Sequence, residues 1–296
     1  MPPAGSILSL SALALVLAGA LMHALWNLQA KQVAGGLPFV WLYGAVSLAF
    51  ATPFGVIAAG QQLGSVDATI WLAIVASAIV HVAYSLVLQQ AYRVADFSVV
   101  YPLARGTGPL FAVVGAILLL GERPSTAGWC AIALIVVGIV LVSGLVGRLG
   151  DQISTLRAGF LWGLATGLTI AAYTVIDGWA MASQTVSPVL YYVVGLLLRT
   201  ALLAPPAFLR RRELLAQWRA HRRAVIVVGV LSPLAYLLVL EAMTRAPLSY
   251  VAPVRELSML LGVALGAGVL RERLTPARSV GTLCMLSGVA MLAIAG

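Results

Sequence analysis

The chain has 296 residues, of which 61% are hydrophobic and only 9% are charged. A soluble protein would have roughly a quarter of its residues charged, so this composition excludes an ordinary soluble domain and predicts an all-α integral membrane protein. The net charge of +9 does not indicate a nucleic-acid partner, because the basic residues lie mostly in the connections between apolar segments, where the positive-inside rule explains them.

Ten apolar segments are long enough to cross a bilayer as helices, which takes about 20 residues each. In chain order they are 8–30, 38–59, 70–92, 97–120, 126–146, 159–181, 187–208, 223–244, 248–270 and 276–295. The longest polar connection, Arg210 to Arg223, is predicted to form a short interfacial helix. The sequence therefore predicts ten transmembrane helices and no soluble domain.

The chain contains an internal repeat, in which charged residues recur at a spacing of 150 positions. The matching pairs are Arg105 and Arg255, Glu122 and Glu272, and Arg123 and Arg273. The repeat divides the chain into halves of about 1–150 and 151–296, each with five spans. An odd number of spans inverts the second half relative to the first. This inverted-repeat arrangement is typical of secondary transporters, in which the substrate binds between the halves near the midplane.

Basic residues are distributed unequally between the two sides of the predicted bundle. The connections after the odd-numbered spans hold thirteen Lys and Arg residues, and the opposite side holds only Arg123 and Arg245. The richer side is expected to be cytoplasmic. We therefore predict a multi-pass protein of the cell (inner) membrane with both termini on the non-cytoplasmic side.

Six ionisable residues fall within the spans or near their ends. They are Arg105, Asp177, Arg199, Glu241, Arg255 and Glu256. Charges at membrane depth normally face a bundle interior or an aqueous cavity and pair there. Arg105 and Arg255 are therefore expected either to bind an anionic group of a substrate or to hold two helices together.

The three acidic residues among them are candidates for proton coupling. Asp177 can change its charge inside the membrane, and Glu241 lies near the end of a span. Glu256 has Gly106 as its counterpart in the repeat, so the halves differ there. Beside Arg255, Glu256 is either a proton site or a local charge lock.

Polar residues repeat on one face of two equivalent spans. In the first span, His23 and Asn27 lie four residues apart with Trp26 between them, and in the sixth span Tyr173 and Asp177 have the same spacing. Such groups are expected to point at the bundle centre, where they either line a cavity or make hydrogen bonds between helices.

A longer polar stripe lies on the third span. His81, Ser85 and Gln89 are four residues apart in turn, and Tyr84 is adjacent. This spacing favours a cavity lining, although a histidine in a helix is also often a hydrogen-bonded packing residue. Tyr101, Tyr236 and Tyr250 lie close to prolines, and each is either an aromatic cavity wall or an interfacial anchor.

Several motifs of catalysis and metal binding do not occur. The chain has no Walker-type phosphate loop, no His-Glu-x-x-His sequence and no Gly-x-Ser-x-Gly elbow. Its two cysteines, Cys130 and Cys284, lie in apolar segments and indicate helix packing. We therefore predict no enzyme activity, no cofactor and no metal site.

Short motifs and the duplicated architecture together point to a family. They are HALWN at 23–27, Gly-Glu at 121–122, Arg-Glu at 271–272 and the paired five-helix halves. With these features the chain resembles the ten-helix drug/metabolite transporter superfamily, and specifically the EamA-like transporters. The resemblance implies a secondary transporter, often an exporter of amino acids, other metabolites or drugs.

The predicted function follows from this resemblance and from the two arginines. We predict export by alternating access of a small solute with a carboxylate or phosphonate, such as an amino acid, with proton coupling as a further possibility. The partners would be this solute and the lipid bilayer, with the chain acting as a monomer or homodimer. A hydrophobic-cation exporter and a non-transporting sensor or assembly subunit remain the alternatives.

Overall fold

A computed structural model describes residues 9–31, 33, 35–94, 97–143, 153–258, 260 and 276–294. Its helices are α1 (Leu10–Lys31), α2 (Gly36–Gln62), α3 (Ala68–Val94), α4 (Phe97–Leu119), α5 (Thr126–Ser143), α6 (Ile153–Ala182), α7 (Pro188–Phe208), α8 (Arg211–Met243), α9 (Leu248–Arg255) and α10 (Pro276–Ile294), and a 3-10 turn, Leu63–Ser65, follows α2. No strand occurs within these residues.

The helices have the length and composition that a bilayer requires. Six described segments, in α1, α2, α3, α6, α7 and α8, are long and apolar enough to cross a membrane, and α4, α5 and α10 contain shorter apolar helices. A helix satisfies its backbone hydrogen bonds internally, as lipid demands. The all-helical membrane fold predicted from the sequence is confirmed.

Contacts between helices have the symmetry of an inverted repeat. When each helix is replaced by its counterpart in the other half, the packing of α1 on α8 becomes that of α6 on α3. In the same way, α2 on α8 becomes α7 on α3, and α4 on α6 becomes α9 on α1. All six packings are present. The pairs α2/α7, α4/α9 and α5/α10 each join a helix to its own counterpart. These three pairs therefore lie on the pseudo-twofold axis, and the predicted inverted repeat is confirmed.

The two halves interlock. The most extensive packings, α4 on α6, α5 on α10 and α1 on α8, all join the first half to the second. Neither half is thus a separate bundle. The boundary that we place at residue 150 remains a prediction, because residues 144–152 lie outside the described part of the chain.

The predicted interfacial helix and the eighth span form two arms of one helix. α8 runs from Arg211 to Met243 and changes direction at His221, whose backbone angles (φ −129°, ψ 23°) are not helical. Along the first arm, Leu215 and Trp218 are exposed beside several exposed arginines. This pairing of aromatic and basic side chains is typical of a helix at the membrane surface.

Glycines allow α5 and α10 to cross closely on the axis. A Cβ atom on Gly138 would lie 2.6 Å from the carbonyl oxygen of Gly281, and one on Gly288 would lie 2.7 Å from that of Ala131. Gly138 and Gly288 are equivalent in the repeat. Two backbones that touch in this way leave no room for a side chain.

We expect Gly138→Ala to destabilise the fold by about 1–3 kcal/mol, because the added methyl group must separate two backbones. The measurement is the melting temperature of the purified protein in detergent. Gly60→Ala is the matched control, since a Cβ at Gly60 meets nothing within 4 Å. Equal melting temperatures for the two variants would contradict the close crossing.

Asp67 caps the beginning of α3. Its Oδ1 atom accepts hydrogen bonds from the Thr69 hydroxyl at 2.6 Å and from the backbone N–H groups of Thr69 and Ile70 at 2.8 and 3.0 Å. The Thr69 hydroxyl first, and then the Ile70 N–H, lower the pKa of this exposed carboxyl from its ordinary value of 3.8. The ionised form is therefore the one that stabilises the helix terminus.

We expect Asp67→Ala to lower the melting temperature by roughly 1–3 °C at neutral pH. Because the folded-state pKa is lowered, this stabilisation is complete above pH 3.8 and is lost as the pH falls through the folded-state pKa. Asp67→Asn keeps the capping oxygen and does not titrate, so it serves as the control. A wild-type-minus-alanine difference that persists unchanged in strong acid would contradict the assignment.

Candidate functional site

A fully buried carboxylate joins four helices. Asp177 of α6 has no exposed surface. Its Oδ1 atom accepts hydrogen bonds from the hydroxyls of Ser77 (α3) and Tyr191 (α7) at 2.5 and 2.7 Å, and its Oδ2 atom accepts one from the hydroxyl of Tyr236 (α8). Three donors stabilise the charge of this buried carboxylate.

Aromatic rings form a cluster around this carboxylate. His81 stacks on Tyr173 with ring centroids 3.9 Å apart, and Tyr84 meets the same tyrosine edge-on at 5.8 Å. Tyr236 meets both His81 and Tyr192 at 5.8 Å. The structure thus brings together four residues considered from the sequence, with Tyr192 of α7 as the fifth member of the cluster. The four are His81, Tyr84, Tyr173 and Tyr236.

Arg199 lies at the α7 side of the aromatic cluster. Its guanidinium carbon is 5.3 Å from the centre of the Tyr192 ring, which is a cation–π contact, and its Nε–H donates to the Gly195 carbonyl at 3.3 Å. The Arg199 charge is near enough to act electrostatically on Asp177 and His81. This arginine therefore faces the bundle interior, as an intramembrane charge is expected to do.

A second charged cluster lies where α4 and α9 meet. The Nη2 atom of Arg105 is 2.8 Å from Oε2 of Glu256 and donates to the Ser258 hydroxyl at 3.1 Å, while Nε of Arg255 is 3.7 Å from the other Glu256 oxygen. Glu256 therefore bridges the two arginines across the axis. Within this triad two positive charges oppose one negative charge, leaving a net charge of +1.

Burial differs within this triad. The side chains of Glu256, Arg255 and Arg105 are 1%, 6% and 12% exposed, respectively. Within the described residues, neither Glu256 oxygen accepts an aligned hydrogen bond, so the 2.8 Å contact is an ion pair of imperfect geometry. Arg105 is therefore the member best placed to meet a solute.

The ninth span is interrupted at this cluster. α9 ends at Arg255, and helical structure resumes at Leu257, with Glu256 in the turn between them. Two prolines, Pro247 before the helix and Pro253 within it, limit the backbone hydrogen bonding of this segment. Interrupted helices near the midplane are where secondary transporters place their binding sites.

The predicted residues of α1 lie beside the same cluster. His23 is near enough to Arg105 and Arg255 for their charges to act on it, and its ring meets that of Trp26 edge-on at 4.9 Å. The Asn27 amide donates to the His23 carbonyl at 2.7 Å. This hydrogen bond lies within α1 and is not the interhelical bond that was considered from the sequence.

Other predicted residues lie elsewhere. Glu241 pairs with Arg245 at 2.6 Å on an exposed part of α8, outside both clusters. Ser85 donates to the His81 carbonyl of its own helix. The buried Tyr250 ring lies against Gly128, and its hydroxyl accepts the Ser125 N–H at 3.3 Å. The side chains of Gln89 and Tyr101 lie outside the described residues.

The Gly-Glu pair after α4 acts as a helix cap across the axis. Gly121 has a φ angle of +68°, which favours glycine, and it turns the chain after α4. The Glu122 carboxylate then accepts the N–H groups of Leu248 and Ser249 at 2.7 and 2.8 Å. A residue of the first half therefore caps the beginning of α9, which carries Arg255. The equivalent Arg-Glu pair at 271–272 lies outside the described residues.

Sequence reasoning missed some residues of the two clusters. They are Ser77, Tyr191, Tyr192 and Ser258. Ser77 lies one helical turn before His81 and so extends the predicted stripe of α3, which was a usable signal. The other three stand alone in apolar or mixed segments and carried no comparable signal.

Comparisons with known proteins agree with the fold and the duplicated architecture. The family model described as "EamA-like transporter family" matches residues 10–144 and, a second time, residues 157–294. A solved crystal structure of another protein is similar over 96% of this chain and 96% of its own, with 17% sequence identity and a TM-score of 0.72. At that identity the likeness shows the fold alone. No curated protein matches.

Proposed function

The chain belongs to the EamA-like transporter family, and from this premise we propose that it exports a small organic acid, an amino acid above all, by proton-coupled alternating access. The family membership makes the chain a transporter of the drug/metabolite type. The substrate, the direction and the coupling are our proposal. We also propose that it catalyses no reaction and acts as a monomer or homodimer.

The observation that supports an anionic group on the substrate is the Arg105–Glu256–Arg255 triad. Its charges sum to +1 at the interruption of α9, and Arg105 retains some exposed surface. A guanidinium offers several N–H donors in a planar fork, so it can hold a carboxylate and an internal partner together. A closed structural pair would instead need matched charges and no exposed member.

A hydrophobic cation is the rival substrate, and the aromatic cluster is the observation that favours it. The rings of His81, Tyr84 and Tyr173 could receive a cation through their faces. However, within the described residues the carboxylate that contacts this cluster is Asp177, and it already accepts three hydrogen bonds. Arg199 also adds a positive charge beside the rings. This electrostatic balance favours an organic acid, with the rings packing against its apolar part.

The orientation rests on the first arm of α8. Arg211, Arg212, Arg219, Arg222 and Arg223 are all exposed, as they would be among headgroups and water. Under the positive-inside rule this arm faces the cytoplasm of the cell (inner) membrane, and both termini lie on the other side. Export is the direction that the family resemblance supports.

The test is counterflow and pH-driven flux in proteoliposomes. Purified protein is reconstituted and tested with radiolabelled amino acids, di- and monocarboxylates, and tetraphenylphosphonium as the hydrophobic cation. We expect flux of at least one acid, stimulated by an imposed pH gradient. Flux of tetraphenylphosphonium alone would favour the rival substrate. No flux of any compound would favour a non-transporting membrane protein.

A further inference from the structure

The hydrogen bonds of Asp177 hold helices together near one end of the bundle. α6 ends at Ala182, five residues beyond Asp177, and α7 begins at Pro188, three residues before Tyr191. At a rise of 1.5 Å per residue, both lie within about 10 Å of the ends of their helices. The carboxylate is therefore placed where α3, α6, α7 and α8 meet near the α6–α7 connection.

The donor pattern fits an ionised carboxylate. Ser77 and Tyr191 share Oδ1, and Tyr236 alone occupies Oδ2. An ionised carboxylate only accepts, and it satisfies all three donors at once. When a proton adds to Oδ2, that oxygen becomes a donor. The Tyr236 hydroxyl must then turn away or accept in place of donating.

We propose that protonation of Asp177 opens this end of the bundle. When it is ionised, Asp177 holds α3, α7 and α8 against α6, and when it is protonated, it releases α8 through Tyr236. The proton comes from the water at this end of the bundle and binds to Oδ2. The charge-assisted hydrogen bond from Tyr236 to that oxygen is then lost, and only a weaker neutral bond in the opposite direction can replace it. This inference rests on the proposed function in one respect only, that the chain alternates between open and closed ends.

Tyr236 connects Asp177 to the candidate substrate site. Its ring meets those of His81, Tyr173 and Tyr192, and the Arg255 charge acts on it. A displacement of the Tyr236 side chain away from Asp177 therefore moves a ring of the aromatic cluster. Proton binding and solute binding are thereby linked through one side chain.

Other ionisable groups face Asp177 or the side chains that donate to it. They are His81 from α3, Tyr173 from α6, Tyr191 and Arg199 from α7, Tyr236 from α8 and Arg255 from α9. The arginines keep their charge at every accessible pH, and tyrosines ionise only in strong alkali. His81, which contacts Ser77 through Nδ1, is therefore the one other group whose titration must be separated from that of Asp177.

The experiment measures the opening of this end without any substrate. Spin labels are placed at Thr185 and Arg245, two exposed positions after α6 and α8, in a chain whose Cys130 and Cys284 are replaced by alanine. Distances are recorded by pulsed electron paramagnetic resonance from pH 8 to pH 5 in lipid nanodiscs. In otherwise unaltered protein we expect a short distance at pH 8 and a growing long-distance population as the pH falls.

Three variants identify the titrating group. Asp177→Asn mimics the protonated acid and should give the long distance at every pH. Tyr236→Phe removes only the α8 donor, so it should give the long distance already at pH 8. His81→Gln should keep the pH response of the parent. Monodisperse gel filtration confirms that each variant is folded, and Tyr236→Phe keeps the test decisive if Asp177→Asn does not fold.

Three results would overturn the inference. The first is a spin-label distance in the parent protein that does not change with pH. The others are an Asp177→Asn protein that keeps the pH response of the parent, or a His81→Gln protein that loses it. Because no solute is present, these outcomes are independent of substrate identity. Failure of the flux panel with an intact pH response would reject the proposed function alone. Flux together with a spin-label distance that does not change with pH would reject only the role proposed for Asp177.

Discussion

Replacing Arg105 with alanine is expected to reduce transport of the substrate acid by about 100-fold, since truncating one partner of a buried charge-assisted contact costs about 2–5 kcal/mol. Arg105 is the triad member with the most exposed surface, and it also pairs with Glu256 at 2.8 Å. The measurement is initial flux in proteoliposomes at equal protein content. Arg123→Ala is the matched control, because Arg123 is exposed in the α4–α5 connection.

Initial flux is expected to differ strongly between Arg105→Ala and Arg123→Ala. Arg123→Ala removes the same charge from the same half of the chain and should transport like the wild type. Arg105→Lys keeps the charge but loses the planar fork, so it should retain part of the flux. If Arg105→Ala transported as well as Arg123→Ala, Arg105 would have no part in the site.

Replacing Asp177 with alanine is expected to destabilise the protein by at least about 3 kcal/mol, because three buried hydroxyls lose their acceptor at about 1–3 kcal/mol each. Ser77 and Tyr191 are buried, and Tyr236 is half-buried, so water cannot readily replace the carboxylate. The measurement is the melting temperature and the yield of monodisperse protein after detergent extraction.

Asp177→Asn is the matched control for this change. Its amide oxygen can still accept from Ser77 and Tyr191, while its NH2 group cannot accept from Tyr236. We therefore expect its stability to lie between those of the wild type and Asp177→Ala. A melting temperature of Asp177→Ala equal to that of the wild type would mean that the three hydroxyls are satisfied in another way.

Much of the fold was predictable because membranes impose simple rules. The lengths of the apolar segments predicted the helices, and the spacing of 150 residues between Arg105 and Arg255 predicted the inverted repeat. The kink at His221 was not predictable, because neither proline nor glycine marks it. The sequence accordingly suggested an interfacial helix and a separate span where α8 has two continuous arms.

The candidate site was predictable in its charges but not in its pairings. Both Arg105 and Glu256 were candidates, yet their contact depends on α4 and α9 meeting on the axis, which no local pattern reveals. The same holds for Asp177 and its donors. Most hydroxyls in these helices bond to their own backbone, as Thr107 and Thr166 do, so the stripe of α3 could suggest Ser77 as a site residue but could not identify Asp177 as its partner.

The central claim is that Arg105 binds the substrate and does not merely neutralise Glu256. The double variant Arg105→Gln/Glu256→Gln separates these roles, because it removes both charges of the 2.8 Å pair and leaves no unpaired carboxylate. The decisive measurement is counterflow of the acid that the wild type carries fastest, together with the melting temperature. We predict a melting temperature restored towards the wild-type value from that of Arg105→Gln alone, and no counterflow above empty liposomes. Restored counterflow would contradict this account and would make the pair a structural contact between α4 and α9.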